Sequence, residues 1–119
     1  ELIIDPLTIN IVLRNKLNMD IGTKTINKYS KIINSSRTIY IKGTPGAYEI
    51  NNLDIGTRYI LNAITKSRAY SLAGGGHTSE TILKYKKLNK FSYVSLAGGA
   101  LIEYLAGKKL PGVESLKNV

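Results

Sequence analysis

The sequence predicts an α/β fold with a mostly parallel sheet, and two observations carry this prediction. From residue 37 onward, short runs of β-branched or apolar residues alternate with longer stretches of helical periodicity, and glycines stand at the junctions. In addition, the pentapeptide SLAGG occurs at residues 71–75 and again at residues 95–99. With 119 residues, of which 43% are hydrophobic, the chain has the size and composition of one ordinary globular domain.

The individual elements follow from hydrophobic periodicity and from the residues that interrupt it. Strands are predicted at residues 2–4, 9–13, 38–41, 69–73 and 92–96, and helices at residues 25–33, 57–66, 77–87 and 99–105. The Pro111-Gly112 pair predicts the end of regular structure.

Three of the four predicted helices have an apolar face. The residues predicted to point inward are Ile26, Tyr29 and Ile33 in the first helix, Ile60, Ala63 and Ile64 in the second, and Ile82 and Leu83 in the third.

The repeated pentapeptide points to a binding edge. The two copies are 24 residues apart, the length of one strand, one crossover helix and a turn, so both should end parallel strands at the carboxyl edge of the sheet. Glycine lets the backbone approach an anion, and each turn opens a helix whose first N–H groups lack partners. The pattern favours a polyphosphate ligand, with tight βα turns that bind nothing as the alternative.

Several chemistries are excluded by residue content. The chain has no cysteine and a single histidine, His77, which excludes disulfides, thiolate catalysis and Cys- or His-rich metal sites. No Walker-type phosphate loop and no dinucleotide-binding G-x-G-x-x-G is present between a strand and a helix. Ser71 and Ser95 lie inside predicted strands, which argues against a serine nucleophile.

The targeting signals and the net charge say less about function than the glycine motifs do. No apolar run is long enough for a membrane span and no export signal is visible after Glu1, so we expect a cytoplasmic protein that is processed or is a piece of a longer one. The net charge is +9, with a lysine run at Lys84, Lys86, Lys87 and Lys90 on the predicted third helix and the following turn. A solvated lysine face is the simpler interpretation, and a small basic nucleic-acid-binding domain is the alternative.

Five motifs, taken in order and spacing, resemble the carboxyl-terminal part of phosphoglycerate kinases. They are DIGTKT at residues 20–25, GTPGAYE at 43–49, GGGHT at 74–78, GGA at 98–100 and GKKLPGV at 107–113. His77 in the third motif, where many members have aspartate, is similar to the archaeal branch. The chain departs from the family pattern at Thr23, Lys42, Thr44 and Ala97.

The resemblance implies a partial domain over residues 1–119, the last portion of a three-layer α/β/α nucleotide-binding domain. Family members transfer a phosphoryl group between 1,3-bisphosphoglycerate and ADP in glycolysis, with Mg²⁺ that we expect to arrive with ATP or ADP and not through a protein-only site. The implied nucleotide-binding residues are Met19, Gly43, Glu49, Gly74, Gly75, Gly76, His77 and Thr78, and Gly98 and Gly99 are implied to face the transferred phosphoryl group.

Simpler roles remain open for three of these side chains. Glu49 is implied to hold the ribose hydroxyls, with a plain surface glutamate as the alternative. Met19 is implied to line the adenine pocket, or else is a core methionine. His77 is expected to touch phosphate, because imidazole is a poor ligand for Mg²⁺, or else only caps its helix or faces solvent.

For the isolated chain we expect weak nucleotide binding without turnover. Phosphoryl transfer depends on holding the two substrates in line with each other. The resemblance implies that the domain that binds the phosphoglycerate substrate is missing from this chain. The expected partners are the missing kinase portion or a second copy of this chain, with no membrane and no nucleic acid. A module for folding or assembly that binds no ligand is a further alternative.

Overall fold

The computed structural model describes residues 18–117, and the strands predicted at residues 2–4 and 9–13 lie outside them. Eight main elements follow one another: α1 (Thr23–Ser35), β1 (Thr38–Lys42), α2 (Ile55–Lys66), β2 (Tyr70–Gly74), α3 (Gly76–Lys84), β3 (Tyr93–Ser95), α4 (Gly98–Leu105) and α5 (Pro111–Lys117). A short 3-10 turn, Leu88–Lys90, connects α3 to β3. No helix within residues 18–117 is long and apolar enough to cross a membrane.

The three strands form one parallel sheet in the order β1-β2-β3. In the register, Thr38 lies opposite Tyr70 and Lys42 opposite Gly74, and Gly74 in turn lies opposite Ser95. Because α2 crosses from β1 to β2 and α3 crosses from β2 to β3, all three strands end at the same edge. The predicted α/β class with a parallel sheet is confirmed.

The hydrophobic core lies on one face of this sheet. Its buried members are Ile60, Leu61 and Ile64 from α2, Ala73 from β2, Ile82 from α3, and Phe91. Ile39 and Ile41 of β1 pack against it, as does Ile33 of α1. Alternate residues of the strands therefore point into a core that α2 and α3 cover.

Helix α4 covers part of the opposite face. Successive strand residues point to opposite faces, so Gly74 points away from the core that contains Ala73. A Cβ atom built on Gly74 would lie 3.3 Å from a methyl carbon of Leu101 in α4 and next to the Tyr40 hydroxyl. Helices thus flank the sheet on both faces, in the predicted α/β/α arrangement.

Several sequence predictions need correction. Regular structure does not end at Pro111-Gly112, because α5 begins at Pro111, whose fixed φ and missing N–H suit the first turn of a helix. Helix α3 ends at Lys84 and not at residue 87, since Lys86 has a φ of 54°. Tyr29 and Leu83, predicted to point inward, are 42% and 56% exposed.

An apolar cleft of about 470 Å³ lies between α1 and β1. It is lined mainly by isoleucines and continues along the outer side of β1 to Gly43 and Pro45. Its isoleucines are Ile21, Ile32, Ile33, Ile39, Ile41, Ile60 and Ile64. Because β1 pairs only with β2 in the described part of the chain, the cleft and the free strand edge form one continuous surface.

Candidate functional site

The carboxyl ends of the three strands bring the glycine motifs together. β1 is followed by Gly43, β2 ends at Gly74 and leads into Gly75, and β3 leads into Gly98. The Gly75 N–H donates a hydrogen bond of 3.1 Å to the carbonyl of Ser95, which joins the turn after β2 to the end of β3. The two repeated turns are therefore neighbours, as their spacing predicts.

The contact between these turns requires glycine. Gly75 has a φ of 103°, a conformation that side chains rarely adopt. A Cβ atom on Gly98 would lie only 3.0 Å from Gly75 Cα. The glycines thus allow the two backbones to touch at the point where α3 and α4 begin.

Neither of these two helices has a side-chain cap. Their N-cap residues, Gly75 and Ala97, provide no side-chain hydrogen bond to the first turn. The first intrahelical bond of α3 runs from the Ser79 N–H to the Gly75 carbonyl, so the amides of residues 76–78 precede it. Uncapped first-turn N–H groups attract anions, and here Gly76, His77, Gly98 and Gly99 lie on first turns that start side by side.

Lys42, the last residue of β1, lies against both turns. Its Cγ is 3.8 Å from the Cβ position of Gly75, and its Cε is 3.1 Å from that of Gly98. The stem of the side chain therefore runs beside the two glycines and brings a positive charge to this edge. In the sequence Lys42 stands out only as a departure from the family pattern, although its place at a strand end before a glycine is a usable signal.

Thr78, on the first turn of α3, contacts Gly43, the glycine that follows β1. It is 1% exposed, and its hydroxyl oxygen accepts a hydrogen bond of 2.7 Å from the Gly43 N–H. The hydroxyl also lies 3.5 Å from the Gly43 carbonyl oxygen. Gly43 and Thr78 are therefore in direct contact, and the Thr78 hydroxyl helps to fix the end of β1.

The loop between β1 and α2 brings Met19 and Glu49 to the same side of the molecule. The Ala47 N–H donates a hydrogen bond of 2.8 Å to the Met19 carbonyl, and Glu49 is exposed two residues further along the loop. Asp20 fixes this region, because its carboxylate accepts a hydrogen bond of 2.8 Å from the Gly56 N–H. Met19 thus lies against the loop between β1 and α2, and Glu49 is an exposed residue of that loop.

His77 belongs to a side-chain network that the sequence analysis missed. Its Nδ1 lies 3.0 Å from the hydroxyl of Tyr48, and the same hydroxyl donates a hydrogen bond of 2.7 Å to Glu80. This bond, together with burial, raises the pKa of Tyr48 to about 12. Lys84 donates a 2.6 Å bond to the Tyr48 carbonyl, so the lysine run is not one uninterrupted solvated face.

A second carboxylate–tyrosine pair holds the far end of the loop. Tyr85 donates a hydrogen bond of 2.5 Å to Asp54, the residue before α2. This bond lowers the pKa of Asp54, and burial and the bond together raise the pKa of Tyr85 to about 12. The loop is thus tied to α3 by Tyr48 at its middle and by Asp54 at its end.

Within residues 18–117, no three His, Cys, Asp or Glu side chains are grouped as metal ligands.

Comparison with known proteins identifies the family of this chain. The family model described as phosphoglycerate kinase matches residues 7–108. The chain belongs to the phosphoglycerate kinase family. This confirms the resemblance on which the candidate site residues were selected.

Phosphoglycerate kinases of archaea and bacteria are among its relatives. The chain is 44% identical over 98 residues to the phosphoglycerate kinase of Thermoplasma volcanium, covering 82% of this chain and 24% of the relative. Identity is 46% over 98 residues with phosphoglycerate kinase 2 of Methanosarcina acetivorans, covering 82% of this chain and 23% of the relative. Identity to the phosphoglycerate kinase of Buchnera aphidicola is 41% over 104 residues, covering 87% of this chain and 27% of the relative.

Solved structures of phosphoglycerate kinases share the fold. The enzyme from Coxiella burnetii superimposes with a TM-score of 0.73 at 41% identity, covering 81% of this chain and 25% of that one. The enzyme from Pyrococcus horikoshii superimposes with a TM-score of 0.72 at 37% identity, covering 83% of this chain and 24% of that one. The chain therefore spans about a quarter of the length of the phosphoglycerate kinases that it matches.

Proposed function

We propose that this chain is the nucleotide side of a phosphoglycerate kinase and that it binds the phosphates of ADP or ATP at its two repeated glycine turns. The observation that carries the proposal is the contact between Gly75 and Gly98 at the start of two uncapped helices. Two helix N-termini that begin side by side favour a ligand with several negative charges. The match to phosphoglycerate kinases supports a nucleotide as that ligand.

Each candidate residue has a role in this proposal. The Gly76 amide on the first turn of α3 donates to the nucleotide phosphates beside His77. Gly74, Gly75 and Thr78 shape the turn that holds this amide next to Gly43, because the Gly75 N–H is bound to Ser95 and the buried Thr78 hydroxyl to Gly43. Gly98 and Gly99 face the phosphoryl group in transfer, where fixed dipoles stabilise the developing charge. Glu49 accepts hydrogen bonds from the ribose hydroxyls, and Met19 lines the adenine pocket. Their positions around one edge of the sheet support this assignment.

The whole reaction needs more than this chain. In the complete protein we propose phosphoryl transfer between 1,3-bisphosphoglycerate and ADP, a glycolytic step of the cytoplasm. Mg²⁺ bound to the nucleotide would neutralise phosphate charge. The chain matches only about a quarter of the length of its relatives. The second substrate must therefore be held by another polypeptide segment. We therefore expect the 119-residue chain to bind nucleotide weakly and not to turn over.

The surface that receives a partner is the cleft between α1 and β1. We propose that either the rest of the kinase or a second copy of this chain covers it. The free edge of β1 and the isoleucines of the cleft support this proposal, because unpaired strand groups and exposed apolar surface favour association.

The thermal shift caused by nucleotide tests the proposed function. For a dissociation constant of about 1 mM, 10 mM ADP should stabilise the chain by roughly 1.4 kcal/mol. Glu49→Ala should abolish this shift if the ribose contact is right. Glu103→Ala, which removes an exposed glutamate of α4, is the matched control and should keep the shift. An unchanged shift in Glu49→Ala would reject the role of Glu49, and no shift in the unmodified chain would reject nucleotide binding.

A further inference from the structure

Three side chains form a hydrogen-bonded line beside the glycine turns. Glu80 lies on α3, Tyr48 lies on the loop before α2, and His77 lies on the first turn of α3. The Tyr48 hydroxyl is 2.7 Å from Glu80 Oε2 and 3.0 Å from His77 Nδ1. Tyr48 is 6% exposed, so its hydroxyl is held between these two partners by the packing of its ring.

The chemistry of the three groups fixes the direction of both bonds. An ionised carboxylate only accepts hydrogen bonds, so the single hydrogen of the Tyr48 hydroxyl goes to Glu80. The hydroxyl oxygen then remains as an acceptor, and His77 Nδ1 must supply the hydrogen for the second bond. In neutral His77 the other nitrogen, Nε2, consequently carries a lone pair and no hydrogen.

We propose that Glu80 and Tyr48 are positioning residues that make His77 a proton-dependent contact for the nucleotide phosphates. This inference rests on the proposed function. With Nδ1–H held by Tyr48, only the imidazolium has a hydrogen on Nε2 to donate to a phosphate oxygen. Phosphate binding at His77 therefore takes up one proton from solvent at Nε2.

Charged groups of both signs lie near His77. Glu80 is reached through Tyr48, Glu49 is next to Tyr48 in sequence, and Lys84 Nζ lies 5.7 Å from the centre of the Tyr48 ring. His77 also stands on the first turn of α3. A bound phosphate group adds negative charge next to the ring, which favours the imidazolium in the complex.

The first test needs no nucleotide. His77 is the only histidine in the chain, so the ¹⁵N resonances of a histidine-labelled sample belong to it alone. At a pH where the ring is neutral, we expect Nδ1 to be the protonated nitrogen. In Tyr48→Phe, which keeps the ring but removes the hydroxyl, the hydrogen should move toward Nε2. Neutral His77 with its hydrogen on Nε2 in the unmodified chain would overturn the positioning role.

The second test is the pH dependence of ADP binding, measured by NMR titration of the full chain between about pH 5.5 and about pH 8.5. We expect the affinity to fall about tenfold with rising pH, which corresponds to one hydrogen bond to a charged group. The fall should vanish in His77→Asn and weaken in Tyr48→Phe. Glu80→Ala removes the acceptor of the Tyr48 hydrogen at an exposed position and repeats the test if Tyr48→Phe does not fold.

The possible outcomes separate the two proposals. ADP binding with the same pH dependence in the unmodified chain and in His77→Asn would overturn this inference and leave the proposed function in place. No binding at any pH would overturn both the proposed function and the phosphate contact of His77. The tautomer measurement decides the positioning role in either case.

Discussion

Lys42 adds a charged side chain to the two glycine turns, which themselves offer only backbone groups. The glycine turns offer only partial charges from amides and helix ends, whereas the Lys42 stem lies within 3.1 Å of the Cβ position of Gly98 and carries a full positive charge. A lysine acts on phosphate as a flexible point charge. Its effect should therefore grow with the number of phosphates on the ligand.

Lys42→Met should weaken ADP binding more than AMP binding. Loss of a charged hydrogen-bond donor corresponds to about 1.5 kcal/mol, which is roughly a tenfold change in dissociation constant. The measurement is an NMR titration with both nucleotides at fixed salt. Lys28→Met, on the exposed side of α1, is the matched control. Equal losses for AMP and ADP would argue against a phosphate contact of Lys42.

Gly98 and Gly99 are adjacent, yet alanine should have opposite effects at the two positions. A Cβ on Gly98 meets Gly75 Cα at 3.0 Å, so Gly98→Ala should force the turns apart and destabilise the chain by about 1 to 3 kcal/mol. No atom lies within 4 Å of a Cβ on Gly99, which is helical. Gly99→Ala should stabilise it by about 0.5 to 1 kcal/mol.

Urea unfolding of both glycine variants measures this difference. A Gly98→Ala variant as stable as the unmodified chain would show that the two turns do not touch.

The loop between β1 and α2 owes its position to bonds made far away in sequence. Asp54 accepts a hydrogen bond from Tyr85 at the end of α3, and its carboxylate also lies 3.6 Å from Arg58 on α2. Asp20 holds the start of α2 through the Gly56 N–H. These contacts join α2, α3 and the loop, so the loop moves with the helices that frame it.

Tyr85→Phe should make the chain less stable, and the loss should depend on pH. The folded pKa of Asp54 lies below its ordinary value of 3.8, so the bond contributes fully above that value and is lost as the pH falls through the folded pKa. We expect about 1 kcal/mol at pH 7, since Asp54 is partly exposed.

The check is urea unfolding of both proteins from pH 7 down through the acid range, in which their difference should shrink as Asp54 becomes protonated. Tyr59→Phe, with a tyrosine that is 57% exposed on α2, is the control. A difference that persists at the lowest pH would assign the effect to packing of the Tyr85 ring.

Local sequence patterns predicted the parts of the fold that depend on local chemistry. The repeated glycine pentapeptide gave both turns and their common edge, because strand direction and glycine geometry are fixed within a few residues. The contacts of Tyr48 and Asp20 were not predicted because their partners, Glu80 and Gly56, are 32 and 36 residues away. The local pattern does not predict helix α5, because a Pro-Gly pair is typical of a chain break, whereas Pro111 here is the first residue of a helix.

The cleft between α1 and β1 leaves apolar side chains of the described molecule uncovered. Ile32 of α1 is 54% exposed there, and the neighbouring strand β1 has an unpaired edge in the described sheet. We expect the chain to self-associate at micromolar concentration in the absence of another partner. Sedimentation that shows a clean monomer at these concentrations would reject this expectation.

Ile32→Lys should weaken that association without loss of fold. The side chain lies outside the buried core, so a charge there costs little in the monomer but must lose water in an interface. Leu116→Lys, at a leucine that is 77% exposed on α5, is the control and should leave the sedimentation profile unchanged. Equal effects of the two substitutions would place the contact elsewhere.

The central position of β2 also sets the order in which the sheet can assemble. β1 and β3 each pair with β2 and not with each other, and each pairing closes a loop that contains a whole crossover helix. Closing such loops costs chain entropy before any strand contact repays it, which makes parallel pairing a slow folding step. Ribosomal synthesis completes β1 and α2 first, and they must wait unpaired until β2 has emerged. During that interval the nascent chain exposes the isoleucines of β1 and the unpaired edges of that strand, which are the features through which incomplete sheets aggregate.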